Sequence, residues 1–197
     1  VRTRDPKKEL SLRQKAMAMV VKDGFDGFSM QKLAKSAGVS PATIYIYWKD
    51  KDDLLLQLYT EAFGKMGGTT LGDFHPGMSF QEGLKVQWKN RARWCLEHPV
   101  EAAFIDQVRF SPLHDRAHKC IAPAFAETMK AFVKGAIARG ELVKIPVEVY
   151  WSVAFAPLYQ LIKFHQSGKG LPGTGPFSLD EKTLNLTLEL VLKALKP

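Results

Sequence analysis

The chain has 197 residues, of which 46% are apolar and 24% charged, a composition that supports a buried core and excludes a disordered or fibrous protein. Its formal charge of +8 and pI near 9.5 favour a polyanionic partner, because a basic surface gains free energy by releasing counterions from phosphates. The excess is denser at the front, where residues 1–56 hold eleven Lys/Arg against seven Asp/Glu, half of the net charge in under a third of the length.

Two cysteines, Cys95 and Cys120, make no disulfide framework and are expected as thiols in a reducing cytosol. No run reaches the roughly 18 apolar residues of a membrane span, and the first residues lack the basic-then-apolar order of a signal peptide, so a cytoplasmic location is expected. The chain opens on Val1 rather than Met, from which a trimmed start and a missing short basic arm are expected.

Helical periodicity runs through the whole sequence, with no alternating β-branched runs, so the expected fold class is all-α. Lys8–Lys22 is amphipathic, with Leu12, Ala16, Met19 and Val20 on one face and Gly24 as a stop. Ser29 is placed to cap a second helix, with Phe28 stapled to Leu33, ending at Gly38. Ser40 then caps a third, with Pro41 at its first position, where a missing amide hydrogen costs nothing. A fourth starts near Asp50, with Asp52 and Asp53 at the positive end of its dipole, and is expected to fade at Gly67-Gly68. Residues 67–78 read as a linker. Further helices are expected over 79–98, 100–110, 116–139, 146–167 (bent by Pro157) and 178–195, with a mobile loop at 168–176.

Two short helices joined by Ala37, Gly38 and Val39 form a helix-turn-helix pattern, in which the second helix enters the major groove and reads base edges from its N-terminal residues. The run Gly24-Phe25, Ser29-Met30, Leu33-Ala34, Ala37-Gly38-Val39-Ser40, Thr43-Ile44-Tyr45, Tyr47-Trp48, Lys51 and Leu54-Leu55 resembles the N-terminal signature of TetR-family regulators. Tyr47 stands where many members have His, and Trp48 where most have Phe. The resemblance implies a three-helix DNA-binding domain over residues 1–49, joined by the fourth helix to a larger helical domain over 50–197 that binds a small-molecule effector and dimerises. It implies a homodimer paired through the last two helices, a pseudo-palindromic double-stranded operator, and repression relieved by a largely apolar effector.

Chemistry and resemblance together assign Pro41, Ala42 and Thr43 to base reading, and Tyr45, Tyr47, Lys51, Gln31 and Lys32 to the phosphate backbone. Trp48 is expected to be buried, and Lys7, Lys8 and Arg13 to form a solvated basic face. In the larger domain Trp88, Phe104, Met129, Trp151, Phe155 and Tyr159 are pocket candidates, together with Trp94, Phe110 and Phe132, although aromatic stripes serve as ordinary core just as readily. Arg91 and Gln107 require a partner on an apolar face, either a ligand carboxylate or an internal acid such as Glu101 or Asp106. The helix from Asp180 carries more apolar positions than one stripe requires, which implies a second buried face.

An enzyme is not expected, nor a metal or cofactor. Cys95-x-x-His98 with His114, His118 and Cys120 fits no zinc spacing, and no Gly-rich phosphate loop, nucleophile elbow or paired carboxylates occur. A DNA-binding protein without an effector is the remaining alternative, and the number of candidate pocket aromatics argues against it.

Overall fold

The computed structural model describes residues 5–197, and any basic arm at the N-terminus lies outside them. Eleven α-helices are described, and among these residues no strand forms beyond the isolated bridge Lys169–Pro176. The contacts divide the chain into two compact units: residues up to Lys65 together with His98–Ile121, and Met66–Glu97 together with Ala122–Pro197.

The first unit begins with α1 (Pro6–Gly27). Asp5 caps it by accepting from the amides of Lys7 and Lys8, and Gly24 turns the chain with φ +73° before the last residues. Leu12, Ala16 and Val20 are buried along one face. The second helix, α2 (Met30–Ala37), starts where Ser29 accepts from the Lys32 amide and ends at Gly38 in the left-handed region, φ +65°. Pro41 opens α3 (Pro41–Ile44), and hydrogen-bonded turns carry the chain on to Trp48. At the start of α4 (Lys51–Thr70), Asp50 accepts from the Asp53 amide while Asp53 accepts from the Lys49 amide. The Lys49 amide and then the Gln57 side chain hold the Asp53 carboxyl below its ordinary range. Also in this unit are α6 (Pro99–Arg109) and α7 (His114–His118), and α6 lies against α1, where the Gln107 amide donates to the Val21 carbonyl at 3.0 Å.

The second unit holds the last residues of α4 and then α5 (Phe80–Glu97), α8 (Pro123–Ala138), α9 (Val147–Ala154), α10 (Ala156–Ser167) and α11 (Glu181–Ala194). The stripe Phe80, Leu84, Trp88, Arg91, Cys95 on α5 is buried throughout. Phe132 packs edge-on to Phe74 and stacks on Phe80, with centroids 5.1 and 5.9 Å away.

Several sequence expectations are corrected here. The fourth helix passes through Gly67-Gly68, because the missing Cβ of Gly67 leaves room for the Phe125 ring and Asn90 takes up the terminal carbonyls of Thr70 and Gly72. The helix expected over 116–139 is broken before Pro123, whose ring forces Ala122 out of the helical region, at ψ 124°. The 146–167 helix divides at Phe155, two residues before Pro157. Residues 168–176 form a loop as expected, with hydrogen bonds from Gly170 to Gly175 and from Phe177 to Gly168.

Two close constraints make the fold testable. A Cβ at Gly83 would lie 2.4 Å from Phe132, so Gly83→Ala is expected to cost about 1–3 kcal/mol by overpacking, whereas Gly38→Ala, with open space around it, should lose about 1–2 kcal/mol through its positive φ alone. Denaturant melts of both variants check this, and an unchanged midpoint for Gly83→Ala would contradict the packing. Burial pushes the Tyr150 hydroxyl up to about 12, against a small opposing effect of the Arg91 charge. The folded state therefore keeps the proton that the unfolded chain releases near pH 10. The stability from this site is full below pH 10 and falls by roughly 2–3 kcal/mol as pH rises to 12. Tyr150→Phe should flatten that decline relative to the wild type in alkaline denaturation curves.

Candidate nucleic-acid interface and buried polar site

The exposed surface at the helix-turn-helix follows from what is buried beneath it. Leu33, Ala34, Ile44 and Trp48 are each at most 1% exposed, so α2 and α3 are held against one another by their inner faces. The expected burial of Trp48 is observed, and the Arg13 guanidinium carbon lies 5.7 Å from its ring centroid. Arg13 is not part of a solvated basic face: it donates to Glu9 and to Glu61, and only Lys7 and Lys8 remain exposed. Its pairing leaves a compact salt-bridged seam between α1 and α4.

The eight assigned DNA contacts fall into two groups. Gln31, Lys32, Pro41, Ala42 and Tyr45 are exposed, with 53% of Tyr45 accessible. The ammonium of Lys32 folds back onto the Gly27 carbonyl at 2.7 Å. Thr43 and Tyr47 are buried and Lys51 is half-buried, each held by partners within the first unit. Thr43 is buried with its hydroxyl 2.9 Å from that of Ser40. The Tyr47 hydroxyl accepts from the Asp5 amide and donates to the Asp5 carbonyl, fixing the start of α1. Lys51 donates to the Phe25 and Phe28 carbonyls at 2.6 and 3.2 Å, closing the end of α1 over the Phe28 ring. Lys35 and Lys49, which the sequence reading passed over, are exposed. Helical spacing from Lys32 was enough to find Lys35.

The pocket candidates divide by unit. Phe104, fully buried, and Gln107 belong to the first unit, where Gln107 is partnered by Val21. Phe110 is 83% exposed. In the second unit Trp88 is fully buried and its indole donates to the Ala154 carbonyl, at the α9–α10 break, at 2.7 Å. Arg91 is buried. Its Nη1 donates to the Tyr159 hydroxyl at 2.8 Å and its guanidinium lies 4.6 Å from the Phe155 ring centroid. Trp151 stacks on Tyr159, with centroids 6.0 Å apart, and Met129 is half-buried on α8. One turn before Arg91 stands Gln87, fully buried, a residue the sequence reading missed although it lies in the same stripe as Leu84, Trp88 and Arg91.

The second unit also carries an apolar surface. Leu188, Val191 and Leu195 of the last helical segment are buried, while Leu186 and Leu190, one turn apart, are 56% and 57% exposed. Among the described residues no helix is long and apolar enough to cross a membrane, and no three or more His, Cys, Asp or Glu side chains are grouped to hold a metal ion. The Cys120 thiol is exposed and donates to the Arg116 carbonyl.

The family model described as bacterial regulatory proteins, tetR family, matches residues 12–58. A protein of Haemophilus influenzae described as an uncharacterized HTH-type transcriptional regulator is 34% identical over 94 residues, 48% of this chain and 50% of that protein. The fatty acid metabolism regulator protein of Bacillus subtilis is 34% identical over 58 residues, 29% of this chain and 30% of its own length. The matched segments thus span half or less of these curated relatives. The crystal structure of a TetR family transcription regulator from Marinobacter aquaeolei VT8 superposes with a TM-score of 0.72 at 26% identity, covering 100% of this chain and 99% of that one. The tetR family model thus covers the helix-turn-helix and the first part of α4, and over the whole chain the fold is similar to that of a TetR family transcription regulator.

Proposed function

We propose that this chain is a regulator of the TetR type that binds double-stranded operator DNA as a homodimer and is released from it by a small, largely apolar effector, acting as a repressor and not as an enzyme. The observation that carries the reading is the exposed start of α3. Pro41 and Ala42 present small apolar side chains that suit contact with thymine methyl groups, on a helix anchored from below by Ile44 and Trp48. Around them Gln31, Lys32 and Tyr45 supply donors for phosphates, with the exposed Lys35 and Lys49 adding charge.

One recognition helix makes too few contacts for specific binding, so two act together on half-sites about one helical turn, roughly 34–36 Å, apart or a multiple of it. The exposed pair Leu186 and Leu190 supports pairing through α11, with α10 beside it. Residues 1–49 act as the DNA-binding part, and the chain from residue 50 carries the linking helix, effector site and dimer surface. An effector favouring one disposition of the two recognition helices changes operator affinity, and linkage makes the antagonism reciprocal, with a coupling of about 1–3 kcal/mol.

Two measurements test this. Tyr45→Ala should weaken binding to every DNA sequence by a similar factor, about 3- to 10-fold, without lowering the melting temperature, because the residue is exposed and removes one backbone contact. A change in sequence preference, read by fluorescence anisotropy on two unrelated operators, would remove Tyr45 from the phosphate set. In the second, Leu186→Glu/Leu190→Glu should convert a dimer into a folded monomer in sedimentation velocity and reduce operator affinity at least 100-fold. A double variant that still sediments as the wild type excludes this face from the dimer.

A further inference from the structure

We propose that Gln87 and Arg91 form the head-group site for an organic monocarboxylate with an apolar body, the anion pairing with Arg91 and displacing the Tyr159 hydroxyl from it. This names the chemical class of the effector and rests on the reading of the chain as an effector-responsive regulator.

Gln87 is fully buried and neither its Oε1 nor its Nε2 has a hydrogen-bond partner. Arg91, one turn later on the same face of α5, is buried with its Nε unpartnered. Among the described residues Arg91 enters no ion pair. Tyr150, whose ionisation is shifted by the Arg91 charge, is held neutral by burial at any physiological pH and supplies no anion. The guanidinium thus has one neutral hydroxyl and one ring face to offset its burial. Buried polar groups are ordinarily satisfied, and a buried cation without its anion is among the costlier exceptions. The two unpartnered donors in adjacent turns of one helix, Arg91 Nε and Gln87 Nε2, are accounted for together by a ligand that brings acceptors for both.

The chemistry of that ligand follows from the same groups. A single guanidinium matches one negative charge, and its planar fork fits the two oxygens of a carboxylate, while a phosphate dianion would bring a surplus charge into an apolar surrounding. The Gln87 amide adds a donor to the head group. Phe155, Trp88 and the stacked Trp151–Tyr159 pair supply an aromatic wall for the body. Trp151 and Tyr159 are the half-buried members, so they are the side chains that shift on entry, and the indole of Trp151 reports the event.

The test titrates the full chain with 3-phenylpropanoate and octanoate, each against its alcohol and its amine, by calorimetry and tryptophan emission. The carboxylates should bind, with alcohols and amines at least tenfold weaker. Arg91→Met should abolish carboxylate binding with the melting temperature held or raised, since an unpaired buried charge is replaced by an apolar chain. Gln87→Leu should weaken binding about tenfold. Tyr159→Phe, which removes the competing hydroxyl, should tighten it several-fold. Equal binding of alcohol, amine and carboxylate, no carboxylate binding at millimolar concentration, or wild-type affinity in Arg91→Met overturns the proposal. Should Arg91→Met fail to fold, unchanged carboxylate affinity in Tyr159→Phe overturns it instead. Release from DNA by a neutral or cationic compound, with carboxylates inert, sinks this inference and leaves the regulator reading intact. A carboxylate that binds at Arg91 without altering DNA affinity does the opposite.

Discussion

A left-handed backbone conformation at Gly38 is the constraint on which the exposed face of the first unit depends. It ends α2 by sending the Gly38 and Val39 amides back to the Lys35 and Ala34 carbonyls, and it lets α3 begin with only three residues between it and the end of α2. In that short interval the chain reverses enough for Leu33, Ala34 and Ile44 to share one buried interior. Pro41, Ala42 and Tyr45 are left outward because their neighbours Thr43, Ile44, Tyr47 and Trp48 are committed inward. A side chain at position 38 strains the turn, and with it the placement of the exposed start of α3.

The inward residues do more than fill space. Tyr47 ties the start of α1 and Lys51 its end, so the long first helix is gripped at both termini by polar groups from the segment that follows the recognition helix. Rigidity of this kind matters for reading DNA, because base contacts need donors and acceptors placed before the duplex arrives. The second unit has the contrasting property. Its α9–α10 break, its unpartnered Gln87 and its acid-free Arg91 are features of a fold that keeps local cost inside its core, as functional sites commonly do.

Much of the architecture was legible in the sequence. Ser29, Gly38, Ser40-Pro41 and Asp50 mark helix ends by mechanisms that act within a few residues, and those ends lie where the sequence put them to within a residue or two. Errors came where a tertiary neighbour decides: Gly67-Gly68 reads as a breaker until Phe125 and Asn90 are seen against that helix end. The site was legible in type and less so in orientation. Chemistry and the family signature together assign Thr43, Tyr47 and Lys51 to DNA, and the structure adds that each also holds the domain together, which a signature position does not reveal. Arg91 stood out as a charge within an apolar stripe, whereas its partner Tyr159, 68 residues away, and the orphaned Gln87 needed coordinates. Phe104 and Gln107 were grouped with Trp88 by residue type alone, and they belong to the other compact unit.

The central claim is that two copies of this helix-turn-helix read DNA together. Selection of bound fragments from random-sequence duplex DNA by the full-length protein tests it most directly. The account predicts an enriched pseudo-palindrome, with half-sites one helical turn or a multiple of it apart and binding that weakens steeply with salt. Enrichment of nothing, or of a single unpaired half-site bound one chain at a time, would contradict it.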